Sequence, residues 1–320
     1  MQILIAGGSG QIGTLLSRAF AADGHGVTIL SRKPRTLDGT SAIEWAVWDG
    51  ESSTQIADEI DRADVVINLA GQSVNCRYNA LNREVILSSR VNSTRAIGHA
   101  IADAANPPFV WLQASTATIY SHRYDVPNDD VTGIIGGDEP NAPDTWRFSI
   151  DVAKRWEREA CEIETPNTRK VLMRSAMTMS PDPGGVFDVM MGLVKRGLGG
   201  RQGDGKQWVS WIHEQDFIRA IYWLIDHELA GPVNLCSPDP LPNSEFMRLL
   251  RQAAGVRYGL AAPAWLLEIG AIGLRTETEL VLKSRRVIPT RLLRSGFEFQ
   301  FADWGTACVD LCGRRAQRLE

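Results

Sequence analysis

Closely spaced glycines near the start of the chain are the first residues whose types suggest chemistry. Within ILIAGGSGQIG, residues 3–13, the spacing fits both Gly-x-Gly-x-x-Gly and Gly-x-x-Gly-x-x-Gly. Without a Cβ atom, such positions let the backbone turn tightly and approach a pyrophosphate, while the next helix directs its N-terminus at the anion. A purely structural turn is the alternative. We predict a dinucleotide site formed by Gly7, Gly8, Ser9, Gly10, Gln11, Ile12 and Gly13.

The end of the second predicted strand indicates which dinucleotide binds. Proteins selective for NAD usually have an acidic residue there for the ribose hydroxyls, whereas this chain has Ser31, Arg32 and Lys33, which suit a 2′-phosphate. The sequence therefore predicts NADP(H), unless the two cations are only surface charges. Asp49, after the third strand, could accept a hydrogen bond from the adenine amine or stabilise a turn.

Strands and helices that alternate along the chain must position these residues. Apolar and β-branched runs predict strands at 2–6, 26–31, 42–48, 63–71, 108–115 and 169–176. Amphipathic segments between them predict helices, including one from 11 to 24 and one from about 79 to 105. This alternation is typical of an α/β fold with a Rossmann-type, doubly wound parallel sheet.

The pattern changes after about residue 180, where PDPGG and GLGGRQGDG break the chain into short elements. We expect a cofactor domain over 1–180, to which segments around 208–236 return. The remainder, 181–320, is expected to form a smaller, mostly helical lobe on the substrate side. Within it, the alternating run RSGFEFQFADW, residues 294–304, is predicted to form a short strand.

Composition gives no sign of a nucleic-acid or membrane partner. The net charge is -4, so no basic field is available to attract phosphates or anionic lipids. The five cysteines are an odd number without a Cys-x-x-Cys pair, which indicates free thiols and no metal site. The N-terminus enters a strand directly, and no run of about 18 apolar residues occurs. We expect a cytoplasmic protein that binds a small-molecule substrate.

Several segments together resemble a known family. GGSGQIG, INLAG and QASTATIY resemble the short-chain dehydrogenase/reductase superfamily in its extended, epimerase-like branch. GKQWVSWIH and KSRRVIPTRLLRSGFEFQF are similar to the atypical members that carry a small C-terminal helical module. The resemblance covers nearly the whole chain and implies an NADP(H)-binding Rossmann domain. It also implies that Leu69, Ala70 and Gly71 pass along the cofactor, and members of the superfamily often form homodimers.

The resemblance also implies a serine or threonine that holds the reacting oxygen, here Ser115 or Thr116, and a Tyr-x-x-x-Lys pair on the following helix. The helix segment FSIDVAKRWE lacks that tyrosine. If Lys154 is the family's lysine, Ile150 takes the tyrosine position. If Glu157 is aligned with the acid that often follows the pair, the two positions become 149 and 153, a serine and an alanine. Neither register provides a phenol.

Another acid could replace the missing phenol. Tyr120, His122 and Tyr124 follow the fifth strand, and we consider Tyr120 the best candidate. The glycine-rich loop before Trp208 and Trp211 is expected on the substrate side, where the indoles could stack on a flat group or a sugar. Two functions stay open: an oxidoreductase or epimerase-like enzyme acting on a carbonyl or alcohol such as a nucleotide sugar, or an NADP(H)-binding sensor with little catalysis.

Overall fold

Eleven strands occur in the residues that the computed structural model describes, 1–33, 42–140, 142–268 and 277–318. They are β1 (Gln2–Ala6), β2 (Gly26–Ser31), β3 (Ile43–Val47), β4 (Val65–Asn68), β5 (Val110–Thr116), β6 (Arg169–Ser175), β7 (Met177–Met179), β8 (Trp208–Val209), β9 (Trp211–His213), β10 (Gly231–Leu235) and β11 (Leu241–Pro242). Seven of them form one parallel sheet in the order β10-β6-β5-β4-β1-β2-β3. The predicted Rossmann-type sheet is confirmed.

Helices cover both faces of this sheet. They are α1 (Gln11–Ala22), α2 (Ala57–Asp61), α3 (Ala80–Asp103), α4 (Asp144–Glu162), α5 (Val186–Lys195), α6 (Glu214–Asp226), α7 (Asn243–Ala253), α8 (Glu279–Leu282), α9 (Thr290–Arg294) and α10 (Trp304–Gln317). In the described ranges, no helix is both long and apolar enough to cross a bilayer.

Alternation along the buried strands explains the two faces. In β5, Leu112 joins the core formed with α1 and α6, whereas its neighbour Trp111 joins the core formed with α3 and α4. Successive side chains of a strand point to opposite faces, so a strand covered on both sides is apolar throughout. All four residues of β4 are buried. The sheet therefore has two cores, and its carboxyl edge is left for polar side chains.

A second lobe has its own core. Met179 of β7, Trp211 of β9, Phe246 of α7 and Trp304 of α10 pack together, with the Phe246 ring stacked on the Trp304 indole at 4.0 Å between centroids. Between its elements the chain returns to the main sheet, where Gly231–Leu235 pairs with β6. The division near residue 180 stays a prediction, because residues after it contribute to both cores.

The alternating run near the C-terminus is not a strand, so that prediction was wrong. The backbone N–H groups of Gln300 and Phe301 donate to the carboxylate of Asp216 at 2.8 Å each, instead of to a neighbouring strand. Phe297 and Phe299 pack against the main core from an irregular segment. A buried side-chain acceptor therefore provides the hydrogen bonds that the alternation seemed to require from a sheet.

Candidate functional site

The glycines after β1 are required by close contacts. Gly7 has a φ of +77°, and a Cβ atom there would lie 2.8 Å from backbone atoms of Leu69 and Ala70. A Cβ atom on Gly13 would lie 2.4 Å from the Cα atom of Gly8. The loop after β1 thus lies against the loop after β4, and α1 begins directly on it. These two loops are the ones predicted to contact a dinucleotide, and the structure brings them together.

The N-terminus of α1 has free donors. Gly10 is the N-cap residue and provides no side-chain acceptor. Among the hydrogen bonds of the described residues, the N–H groups of Gln11, Ile12 and Gly13 have no acceptor, and the buried Nε2 of Gln11 has none either. The exposed Ser9 lies just before them. Unpaired N–H groups at a helix start suit a phosphate, so the donors fit the predicted pyrophosphate.

At the end of β2, two of the predicted 2′-phosphate ligands are exposed to solvent. Arg32 and Lys33 are exposed, and Arg32 has no ion-pair partner among the described residues. The Ser31 hydroxyl donates to the carbonyl of Lys33 at 3.0 Å and so orders the turn. Asp49 accepts the N–H groups of Glu51 and Ser52, which lower the pKa of its carboxyl group. One carboxylate oxygen of Asp49 therefore stabilises a turn, which is the alternative role considered for this residue.

The two hydroxyls at the end of β5 differ in their surroundings. Ser115 is buried and donates to Glu157 at 2.5 Å. Thr116 is half-buried, and its Oγ1 accepts the N–H of Thr118 at 3.2 Å. The Thr116 hydroxyl keeps its own proton for another acceptor, since no bond donated by it is found among the described residues. Of the predicted pair, Thr116 is better placed to bind a ligand, and Ser115 anchors α4.

Glu157 fixes the orientation of α4. Arg174 of β6 binds both carboxylate oxygens, at 2.8 and 2.7 Å, and Ser115 binds one of them. Residues four and eight positions earlier lie on the same side of the helix. They are Ala153, which is fully buried next to Ala117, and Ser149. The geometry therefore supports the register in which a serine and an alanine replace the expected tyrosine and lysine.

Lys154 lies on another side of the helix. A Cβ atom on Gly137 would be 3.0 Å from its Nζ, so the ammonium group lies beside the loop that precedes α4. Ile150, one turn earlier, is 1% exposed and packs toward the same loop. This placement separates Lys154 from the side of α4 that faces β5.

Tyr120 is enclosed by polar groups. Its phenol donates to Asn234 and accepts from Arg174, both at 2.9 Å, and only 2% of the residue is exposed. Burial raises the pKa of Tyr120 to about 12. Donating its proton to a ligand would require breaking the hydrogen bond to Asn234, and the enclosed side chain leaves almost no surface for a ligand. The geometry gives no support to the hypothesis that Tyr120 is the acid, and assigns it a structural role.

A second polar cluster was not predicted from the sequence. The Ser149 hydroxyl donates to Glu279 at 2.6 Å, and Arg285 donates to the other oxygen of Glu279 at 2.9 Å. Arg285 also donates to the Thr118 hydroxyl at 3.1 Å. The members come from three distant parts of the chain, so no local spacing could have revealed them.

Trp208 and Trp211, which were expected to stack on a ligand, differ in how deeply they are buried. Trp211 is fully buried, its Nε1 donates to the carbonyl of Asp239, and its ring packs on Trp304 at 4.8 Å. The suggestion that Trp211 stacks on a ligand is therefore wrong. Trp208 is half-buried, with the guanidinium of Arg286 over its ring at 3.9 Å.

Comparison with known families agrees with this geometry. Residues 3–236 match the model of the NAD dependent epimerase/dehydratase family. The chain belongs to that family. Residues 262–311 match a second model, described as a domain of unknown function, DUF1731. The predicted resemblance, including the additional C-terminal module, is confirmed.

Individual relatives extend the match over the whole chain. Epimerase family protein MW0731 of Staphylococcus aureus is 31% identical over 316 residues, which cover 97% of this chain and 98% of that protein. Epimerase family protein YfhF of Bacillus subtilis is 29% identical over 320 residues, with 98% and 99% covered. The crystal structure of human epimerase family protein SDR39U1 (isoform 2) with NADPH has a TM-score of 0.81 at 27% identity and covers 98% of this chain and 99% of that one. The NADP(H) prediction is supported by the family match and by this structure.

Proposed function

We propose that this member of the epimerase/dehydratase family binds NADP(H) at the carboxyl edge of its sheet and transfers hydride to or from a small carbonyl or alcohol substrate. The observation that carries the proposal is the set of unpaired N–H donors at the start of α1. They follow the loop after β1, in which Gly7 lies too close to the loop after β4 for a side chain to fit. The NADPH in the human relative's structure supports the choice of cofactor.

Each part of the cofactor has matching residues. The glycine loop and the first turn of α1 would hold the pyrophosphate, and Arg32 with Ser31 would bind the 2′-phosphate. Leu69 and Ala70, which lie against Gly7, would pass along the nicotinamide half together with Gly71. When bound, the dinucleotide supplies or accepts the hydride. The protein's task is then to hold the substrate oxygen and to exchange a proton with it.

Thr116 is the residue proposed to hold the substrate oxygen. It lies at the carboxyl end of β5, where ligands of open parallel sheets bind. Its hydroxyl has a proton to donate, whereas Ser115, one residue earlier, is committed to Glu157. The Glu157–Arg174 pair fixes the two strands and the helix around Thr116, so the hydroxyl is held by a rigid frame.

The alternative function is an NADP(H)-binding sensor without turnover. Ser149 and Ala153 favour it, because they stand where the resemblance implies a tyrosine and a lysine. A sensor would keep the donors of α1 and would have no use for the free hydroxyl of Thr116.

The first test separates binding from turnover. We expect the purified protein to bind NADPH more tightly than NADH, with Arg32→Ala weakening NADPH about 10-fold and leaving NADH unchanged. Arg62→Ala is the matched control, since that side chain is 71% exposed and pairs, among the described residues, only with Glu59. Failure of the unmodified protein to bind either dinucleotide would overturn the cofactor assignment.

The second test is NADPH oxidation against aldehydes, ketones and nucleotide sugars. Turnover that falls about 10- to 100-fold in Thr116→Val would support the proposed role of its hydroxyl. Tight NADPH binding without turnover of any compound would instead support the sensor.

A further inference from the structure

We propose that two cations of the C-terminal module, Lys283 and Arg285, are positioning residues for the Thr116 hydroxyl. They act through Thr118, whose polar atoms they bind. The inference rests on the oxidoreductase function proposed above. Both cations lie within residues 262–311, which match the domain of unknown function. The proposal therefore gives that module a role in the reaction, which is to fix the end of β5.

Every polar atom of Thr118 has a partner. Its backbone N–H donates to Oγ1 of Thr116 at 3.2 Å. Its carbonyl accepts from Nζ of Lys283 at 2.7 Å, and its Oγ1 accepts from Nε of Arg285 at 3.1 Å. The two cations come 165 and 167 positions later in the chain. Backbone and side chain of this one residue are thus both fixed by the C-terminal module.

The bond from Thr118 restricts where the Thr116 proton can point. A hydroxyl has one proton and two lone pairs, and the Thr118 N–H occupies one lone pair of Thr116. The proton must therefore point away from Thr118, and a substrate oxygen at the carboxyl edge of the sheet can accept it. If Thr118 could rotate, the Thr116 hydroxyl would be free to bond a nearby backbone carbonyl instead.

Arg285 is itself held in place by Glu279. Its guanidinium donates to one carboxylate oxygen at 2.9 Å, and the other oxygen accepts from Ser149 on α4 at 2.6 Å. The arginine and glutamate side chains are 12% and 1% exposed. A guanidinium carries several donors in a rigid plane, so it can bind a carboxylate and a hydroxyl at the same time. The end of β5 is therefore connected to α4 through one fixed side chain.

Lys283 is buried without a close carboxylate. Only 2% of the residue is exposed, and Glu139 and Glu279 act on it from a distance without forming an ion pair in the described ranges. Removing an ammonium group from water is costly, and a single carbonyl offsets that cost poorly. Such arrangements concentrate at functional sites. The bond to Thr118 is therefore better explained by its effect on the turn than by a gain in stability.

The backbone that carries the two cations is fixed on both sides. The N–H of Ser284 donates to the His122 ring at 2.8 Å, and the N–H of Arg285 donates to the carbonyl of Trp208 at 2.8 Å. His122 follows β5, whereas Trp208 begins β8. The segment is thus anchored to the chain after β5 and to the chain of the second lobe. A positioning residue requires such a rigid support.

The neighbouring hydroxyls of Ser115 and Thr116 show what this arrangement achieves. Ser115 donates to Glu157, which is held by Arg174, so its proton is used within the protein. Thr116 is held by a backbone N–H, so its proton stays available. Both hydroxyls depend on a buried arginine, but only the arrangement around Arg285 leaves a donor for a ligand.

The first test changes the hydroxyl of Thr118. Thr118→Val removes the acceptor of Arg285 and keeps the shape of the side chain, so kcat for carbonyl reduction should fall about 10-fold with the Kd for NADPH unchanged. Thr118→Ser keeps the hydroxyl and should behave like the unmodified protein. Arg248→Met is the control, because that arginine pairs with Glu245 at the surface and is 51% exposed. An unchanged kcat in Thr118→Val would overturn the inference.

The second test combines two substitutions. Arg285→Met should lower kcat about 10-fold or more in the otherwise unmodified protein, but less than about 2-fold in the Thr116→Val background, because no hydroxyl is left to position. A residue that only stabilises the fold would lower kcat by the same factor in both backgrounds. Equal factors would therefore overturn the inference. If Arg285→Met does not fold, Thr118→Val in the Thr116→Val background provides the same decision.

The third test needs neither cofactor nor substrate. Lys283→Met removes the bond to the Thr118 carbonyl, so the Thr118 N–H should exchange with solvent deuterium about 10-fold faster. The amides of α1 should keep their rates, which a general loss of stability would also raise. Unchanged exchange at Thr118 would contradict the proposed fixation of the turn.

The outcomes separate this inference from the proposed function. Turnover by the unmodified protein, together with equal factors in the combined variants, would overturn the positioning role alone. Tight NADPH binding without turnover of any carbonyl compound would overturn the proposed function and, with it, the positioning role.

Discussion

Two polar regions of the molecule, called here the nucleotide end and the cluster end, are constructed in opposite ways. At the nucleotide end, residues 7–13 provide the donors from a single loop and helix start, and the groups are backbone N–H groups. At the cluster end, Thr118, Ser149, Glu279 and Arg285 come from three separate segments, and the groups are side chains. A local backbone site tolerates changes elsewhere in the chain. A site assembled from distant side chains depends on the packing of the whole molecule.

The largest effect should come from the buried ion pair of Arg174 with Glu157. Arg174→Met leaves the buried Glu157 carboxylate without its cation, so the free energy of unfolding should fall by about 3–5 kcal/mol in chemical denaturation. The two side chains are 10% and 11% exposed. Arg95→Met is the control, because its pair with Glu159 has a half-exposed arginine and should be worth at most about 1 kcal/mol. Equal losses of unfolding free energy in the two variants would contradict the proposed contribution of the Arg174–Glu157 pair.

The nucleotide end should respond next. Gly7→Ala forces a side chain into a left-handed backbone position and against the loop after β4, at a cost of about 1–3 kcal/mol. Because the loop must shift to relieve this contact, the affinity for NADPH should fall about 10- to 100-fold in a fluorescence titration. Gly313→Ala in α10 meets no atom within 4 Å and should leave the affinity unchanged. Unaltered NADPH affinity in Gly7→Ala would show that the loop does not bind the dinucleotide.

A smaller effect concerns pH at the cluster end. Burial, together with the charge of nearby Arg285, lowers the pKa of Lys283 to about 7, while Glu279 and Glu139 oppose the shift. His122 also lies near this ammonium group. The unfolded lysine keeps its proton up to its ordinary pKa of about 10.4, so the unfolded state binds more protons between these values. The free energy of unfolding should therefore rise between pH 7 and pH 9, by no more than about 1.4 kcal/mol per pH unit.

Lys283→Met tests the sign of this effect. The variant lacks the titrating group, so the rise between pH 7 and pH 9 should be smaller than in the unmodified protein. It also loses the hydrogen bond from Lys283 to the carbonyl of Thr118 at 2.7 Å. An identical pH dependence in both proteins would show that the amine is not buried in its neutral form.

The difference between the two ends also explains what the sequence could predict. Glycine spacing, the alternation of strands and helices, and the cations after β2 are local patterns, and each fixed a feature of the sheet or the nucleotide loop. The cluster of Thr118, Ser149, Glu279 and Arg285 spans residues 118 to 285, and its members meet only after the helices have packed. Likewise, the contact of Glu157 with Arg174, which supports one of the two registers of α4, joins residues that are 17 positions apart and follows from no local pattern.

The run from residue 294 to 304 also shows why a local pattern in the sequence can mislead. Its alternation of apolar and polar residues fits a strand, yet Asp216, about eighty residues earlier, binds its N–H groups. Alternation indicates which side chains are buried, but it does not indicate which acceptors bind the backbone N–H groups. The hydroxyls of Ser115 and Thr116 are a similar case. They are neighbours in the sequence and look equivalent there, and only the folded structure shows that Ser115 donates to Glu157.

The order of the segments has a consequence for biosynthesis. The last strand of the main sheet ends at Leu235, and Glu277, Glu279 and Arg285 follow it on the ribosome. A nascent chain therefore holds every strand of the main sheet before it holds the acidic and basic partners of Ser149 and Thr118. The growing protein can form its nucleotide loop while the cluster end is still incomplete, so translation itself separates the assembly of the two.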